Sequence, residues 1–142
     1  MPDDSGLQRF LDAQQTDYAV ALSEIKRGRK ASHWMWYVFP QIRGLGTSEI
    51  SRYYAIKDIR EAGSFLKHPV LGTRLIEICQ ALLDLQVNDA NRIFGRPDDL
   101  KLRSSMSLFA LIPDAHPIFQ KILDRFFKGA RDSRTAEILK MQ

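Results

Sequence analysis

Residues 69–86, Pro-Val-Leu-Gly-Thr-Arg-Leu-Ile-Glu-Ile-Cys-Gln-Ala-Leu-Leu-Asp-Leu-Gln, carry the periodicity on which the reading of the whole chain turns. Leu71, Leu75, Ile78, Leu82 and Leu85 follow 4-3-4-3 spacing, and Ile76, Cys79 and Leu83 widen that stripe. Thr73, Glu77, Gln80 and Asp84 repeat the spacing on another face. An α-helix turns once in 3.6 residues, so such a pattern makes one side apolar and another polar. Proline at the start is compatible with a first helical turn, where its missing N–H costs nothing. The expectation is the longest helix of the chain, running from Pro69 to about Gln86 against a core with one solvated stripe.

Working outward toward the N-terminus, Asp58-Ile59-Arg60-Glu61 has the form of a helix cap and opens a short helix through Phe65 and Leu66. His68-Pro69 interrupts it, because the residue before proline avoids helical geometry. Ser5-Gly6-Leu7-Gln8 is a second capping box, followed by Phe10 and Leu11. A separate helix is expected from about Asp17 to Arg27, burying Tyr18, Ala21, Leu22 and Ile25 and stopped by Gly28. Toward the C-terminus, Asn88-Asp89 opens a short helix closed by Gly95. Pro97-Asp98-Asp99 starts the next, with acids in the first turn as the helix dipole prefers, and turns Leu102, Met106 and Phe109 inward. His116-Pro117 precedes a helix carrying Phe119, Ile122, Leu123, Phe126 and Phe127, ended by Lys128-Gly129, and a last helix spans about Asp132 to Lys140.

Hairpin signals are missing: the chain contains no Asn-Gly or Asp-Gly pair. One segment resists a helical reading. Residues 33–46, His-Trp-Met-Trp-Tyr-Val-Phe-Pro-Gln-Ile-Arg-Gly-Leu-Gly, hold both tryptophans, and Trp34 to Phe39 favours strand by composition. A lone strand has no partner to pair with, so a buried helical turn is expected there. The fold class that follows is all-α: residues 1–142 as a single compact domain of about eight short helices, without internal repeat or linker.

Composition narrows the function classes. The chain of 142 residues has a net charge of +4 and one cysteine. Cys79 alone excludes an intrachain disulfide and a cysteine-rich zinc site. The start, Met-Pro-Asp-Asp-Ser, is acidic and lacks an apolar signal region, and no apolar run approaches the ~18 residues of a spanning helix. A soluble, cytoplasmic protein without a membrane partner is expected. The densest cations, Lys26, Arg27, Arg29 and Lys30, fall at a predicted helix end, where they complement the dipole. No readout motif accompanies them, which ranks nucleic acid last among the partners.

The candidate chemistry lies in three places. His33, His68 and His116 lack metal-ligand spacing to one another, so no metal is expected. His68 and His116 each precede a proline, which suggests turn roles; His33 borders the aromatic cluster and is a candidate base or ligand hydrogen-bonder. Trp36 and Tyr53 are candidates for a slot in which a planar ring stacks, with Gln41 reaching its edge and Gly44 and Gly46 allowing close approach. The stretch Asp98-Asp99-Leu-Lys101-Leu-Arg103-Ser104-Ser105 is the best polar constellation, since Lys101, Ser104 and Ser105 share a helical face. A serine pair inside a helix, at a few tenths of a kcal/mol each, wants either close packing or a ligand surface as its reason.

Several stretches, in order, resemble the domain-of-unknown-function 1810 family. They are His33 through Gln41 followed by Gly44-Leu45-Gly46, then Ser51 through Ile56, then Glu61-Ala62 and His68 through Gly72, then Ile93-Phe94-Gly95 with Pro97 through Met106. The resemblance implies a single all-helical domain and carries no reaction with it. The Lys67-His68-Pro-Val-Leu-Gly stretch also resembles the NADAR proteins, which act on ADP-ribose conjugates, although their Phe-Ser-Asn-Phe opening motif is absent.

Together these readings favour a binding site for a nucleotide or ADP-ribose-like molecule, with no resident cofactor. Its expected residues are His33, Trp36, Gln41, Tyr53, Asp99, Lys101, Arg103 and Ser105: rings for the base, cations for phosphate. Whether turnover follows binding is open. The alternative is a protein-interaction module that presents segment 33–41 as an exposed aromatic face.

Overall fold

The computed structural model describes residues 6–142 and arranges nine α-helices among them. They are α1 (Gln8–Lys26), α2 (Met35–Val38), α3 (Glu49–Tyr54), α4 (Ile59–Lys67), α5 (Leu71–Leu83), α6 (Ala90–Phe94), α7 (Asp98–Ala110), α8 (Ile118–Phe127) and α9 (Ser133–Lys140). The described residues contain no strand, only an isolated parallel bridge between Ile42 and Ile56. The all-α expectation therefore holds.

The stripe read from residues 69–86 is the spine of the core. Leu71, Leu75, Ile78, Cys79 and Leu82 are buried, and α5 packs against α1, α4 and α8. Around it, four phenylalanines form a continuous row: Phe10 meets Phe65 edge-on at 5.1 Å, Phe65 meets Phe109 at 5.6 Å, and Phe109 meets Phe119 at 5.4 Å. The row links α1, α4, α7 and α8. Edge-on and tilted contacts of this kind add roughly 0.5–1.5 kcal/mol each beyond area burial.

Short helices depend on their ends, and three of them are capped by aspartates. The side chains of Asp58, Asp89 and Asp132 accept from the N–H groups of Glu61 (2.8 Å), Asn91 (3.0 Å) and Thr135 (3.0 Å). His68 Nδ1 accepts from Val70 and Leu71 at 3.1 and 3.3 Å, and His116 Nδ1 accepts from Ile118 at 3.0 Å. Both histidines thus hold turns, as their place before proline suggested.

Three expectations need correction. The two helices read at the N-terminus are one, α1, of 19 residues. Ala13, Gln14 and Gln15 continue a helix without a break, and Asp17 turns outward to accept from the Tyr37 hydroxyl instead of capping a new start. The capping box at Ser5 begins outside the described residues. The helix of residues 69–86 is shorter than read: His68 holds Pro69 and Val70 in a turn, and Leu85 N–H closes a tight last turn onto Leu82 at 3.2 Å. The longest helix is consequently α1. Finally, α3 was not anticipated; Ser48 caps it through the Ser51 N–H at 3.2 Å.

Candidate functional site

The site begins with a charge on the buried face of α1. Glu24 is 3% exposed, and its carboxylate accepts from the N–H groups of Ala31 (2.8 Å) and Ser32 (2.9 Å), the Ser32 hydroxyl, and the Trp34 indole N–H (2.9 Å). Burial alone raises a carboxyl pKa, but these four donors more than offset it and hold Glu24 down at about 2. The bonds fix the loop after α1 and stand Trp34, 1% exposed, against Phe39 and Phe94 at 6.2 and 6.4 Å.

That loop delivers a lysine. Gly28 turns the chain with φ 81°, and the Lys30 N–H donates to the Ile93 carbonyl at 2.7 Å, laying the segment beside α6. The Lys30 ammonium lies 5.0 Å from the centre of the Trp34 ring and 2.9 Å from Asp98 Oδ2. Asp98 is the first residue of α7, and its other oxygen is 3.6 Å from Lys101 Nζ one turn on. Lys101 in turn lies over Trp36, 5.3 Å from the ring centre. Two lysines from distant segments therefore share one carboxylate, each against its own indole, and the group keeps an excess positive charge.

Beside Trp36 the surface dips into a notch lined by Gln41, Ile42, Ser51 and Tyr54, with a volume of about 10 Å³. That is room for one water molecule. Gln41 is anchored through its backbone, its carbonyl accepting from Ile56 N–H at 2.8 Å, and lines the notch. Gly44 lies in the turn that carries the chain on toward α3.

Of the residues singled out in the sequence, Trp36, Gln41 and Lys101 come together. His33 is exposed three residues earlier, and its carbonyl accepts from the Tyr37 hydroxyl at 3.3 Å. Tyr53 is 60% exposed and packs edge-on against Tyr54 at 4.8 Å, so Tyr54 and not Tyr53 lines the notch. Asp99 is buried toward α6, where Oδ2 meets Asn91 at 3.3 Å and Arg96 at 3.5 Å. Arg103 spends its guanidinium on the carbonyls of Ala130 and Arg131, both at 3.0 Å, stapling α7 to the approach of α9. Ser105 is 0% exposed, with its hydroxyl lacking a partner. Ser104 turns its hydroxyl back to Leu100 at 3.2 Å. For the serine pair, close packing is the reason the structure supplies.

The alternative of an exposed aromatic face is overturned. Trp34, Met35, Tyr37, Val38 and Phe39 are all buried, because α2 packs its rings against α1 and α3 and leaves only Trp36 at the rim. Sequence reading missed Glu24, and it named Lys30 in the cation run and Asp98 in the α7 constellation without bringing them to one site. Glu24 had a signal, a charge three residues after Ala21 and one before Ile25 on a buried stripe; the pairing of Lys30 with Asp98 joins segments too far apart to be read.

Burial raises the Tyr18 and Tyr37 phenols well above their ordinary value, with Glu77 and Asp17 adding to the effect, and burial raises the Cys79 thiol likewise. Neither the phenols nor the thiol ionises near neutrality. Among the described residues, no three His, Cys, Asp or Glu side chains gather as metal ligands, and no helix is long and apolar enough to cross a membrane.

Comparison with known proteins agrees with the architecture. The profile described as protein of unknown function DUF1810 matches residues 4–139. Among solved structures, the conserved hypothetical protein Rv1873 from Mycobacterium tuberculosis is 43% identical, with 100% of each chain covered and a TM-score of 0.94. None of the curated proteins matches. With nearly its whole length matched, the chain belongs to the DUF1810 family of proteins of unknown function.

Proposed function

We propose that the rim formed by α2, the start of α7 and the loop after α1 binds a small planar anion of the nucleotide or ADP-ribose type. One observation carries this reading: Lys30 and Lys101 converge on Asp98 beside the half-buried Trp36, whose ring carries the Lys101 ammonium 5.3 Å from its centre. The notch is too small to swallow a base, so the ring must lie on Trp36 and take the place of the Lys101 ammonium. An exposed cation–π contact contributes about 0.5–1 kcal/mol. Stacking of a base on an aromatic ring contributes roughly 1–3 kcal/mol, so the exchange favours the ligand. The displaced Lys101 is then free for phosphate, while Lys30 stays on Asp98 and Gln41 lies beside the ring.

The test is a thermal-shift titration with AMP, ADP-ribose and NAD. A ligand at 100 times its Kd stabilises by about 2.7 kcal/mol, which is readily visible. The expected result is a shift that disappears in Lys101→Ala and Gln41→Ala while both variants stay folded. No shift with any of the three compounds overturns the reading. A positive compound then goes to a turnover assay, which decides whether binding is followed by chemistry.

A further inference from the structure

We propose that this face takes its nucleotide as part of a single strand of nucleic acid, an inference that rests on the nucleotide reading above. In the sequence, the cations after α1 form one short run. In the fold, the bond from Lys30 N–H to the Ile93 carbonyl, 2.7 Å long, lays that run along α6. That bond brings the chain around Arg29 next to the chain around Arg92, with Arg27 two residues before Arg29 and Arg96 at the entry to α7. All four are exposed, and Arg27, Arg29 and Arg92 make no ion pair or side-chain hydrogen bond among the described residues; Arg96 has only its 3.5 Å contact with Asp99.

The neighbouring acids do not neutralise this group. Glu24 is buried and occupied by its four donors, Asp98 is held by two lysines, Asp99 is buried, and Asp89 caps α6. Lys26 is left out of the patch because it faces Glu77 and Asp84 across the groove between α1 and α5. The C-terminal dipoles of α1 and α6 account for one cation each, and leave Arg29 and Arg96 without that reason. Arginine forks match phosphate oxygens two at a time, which suits a chain of phosphates.

The patch runs into the Lys30–Asp98–Lys101 group and so to Trp36. Stacking rings beside a cationic track are what single strands use, and no groove-reading element is needed. A duplex would hide the base that Trp36 requires. A lipid surface would call for exposed apolar anchors among the arginines, and no large apolar residue next in sequence to Arg27, Arg29, Arg92 or Arg96 is exposed.

The experiment is fluorescence anisotropy with labelled oligo(U) and oligo(dT) of about ten nucleotides, alongside AMP titrations of the same protein. The expected result is an oligonucleotide affinity at least tenfold above that of AMP, falling with salt by about −0.7 in log–log slope per phosphate contact. The double variant Arg29→Glu, Arg92→Glu is expected to lose at least tenfold for the strand and keep its AMP shift, with circular dichroism melting confirming the fold. If AMP binds and the strand binds no tighter, the strand proposal falls and the nucleotide reading stands. If neither binds, both fall. Strand binding that the double variant leaves unchanged overturns the assignment to this face. Phosphatidylserine vesicles bound as tightly, and lost in the same variant, would overturn it in favour of an anionic lipid surface.

Discussion

Glu24 shows what one buried carboxylate can organise. Its four donors come from Ala31, Ser32 and Trp34, so the loop that carries Lys30 is held through this one side chain. Glu24→Gln can keep Oε1 for the three N–H donors and set its amide against the Ser32 hydroxyl, which turns to accept, but it removes the negative charge that strengthens all four bonds. The expected cost is roughly 2–3 kcal/mol, measured by urea unfolding at pH 7. The pH dependence has a definite sign. The folded pKa, about 2, lies below the ordinary 4.5, so the charged form is stabilised in the folded state. That stability is fully present above about 4.5 and is lost as pH falls toward 2. The gap in Tm between the protein and Glu24→Gln should therefore narrow across that window; a gap constant from pH 7 to pH 2 would refute the assignment. Ser105 is the opposite case. Its hydroxyl is buried and unpartnered, and alanine is the better helix former. Ser105→Ala is expected to stabilise by about 1 kcal/mol and leave ligand binding unchanged, whereas a loss of binding would show that the hydroxyl serves the ligand.

At the scale of elements, legibility followed locality. The caps at Asp58, Asp89 and Asp132 and the stripe of α5 depend on residues within a few positions of one another, and all were readable. Segment 33–41 was harder because its composition favours strand, and only the lack of a pairing partner argued for a helical turn. Trp36, Gln41 and Lys101 could be named as candidates, but that the Lys101 ammonium lies over Trp36 is a contact between segments far apart in the chain. The corner between α4 and α5 makes the same point. At Gly72 an added Cβ would stand 1.8 Å from the Leu66 carbonyl oxygen, a backbone atom that cannot swing away. At Gly63, inside α4, a Cβ meets nothing within 4 Å. Glycine-to-alanine exchange in a helix ordinarily stabilises by about 0.5–1 kcal/mol, and that is the expectation for Gly63→Ala. Gly72→Ala is expected to destabilise by roughly 2–4 kcal/mol, because the two helices must part. Chemical denaturation of the two variants side by side checks the pair, and equal effects would mean the corner is not closely packed.

Over the whole molecule, the core and the candidate site share an element but not their energetics. Phe10, Phe65, Phe109 and Phe119 run through the centre, while Lys30, Asp98, Lys101 and Trp36 stand at the rim where α2, α6 and α7 approach one another. Adjacent tryptophans fall on either side of that boundary. Trp34 is packed between Phe39 and Phe94 with its N–H on Glu24, so Trp34→Ala removes ring volume and a buried hydrogen bond together. A loss of roughly 3–5 kcal/mol is expected. Lys101→Ala removes a partly exposed ion pair and a cation–π contact, each worth no more than about 1 kcal/mol, and α7 keeps its fold. The two variants should therefore separate stability from binding. Lys101→Ala should melt within a few degrees of the parent and show no shift with AMP or ADP-ribose. Trp34→Ala should melt far lower, yet still be shifted upward by the same ligand while folded. Differential scanning fluorimetry with and without ligand reads both quantities in one experiment. If Lys101→Ala instead lowered the melting temperature as much as Trp34→Ala, the lysine would be a strut of the fold, and the positive charge gathered around Asp98 would have a structural origin.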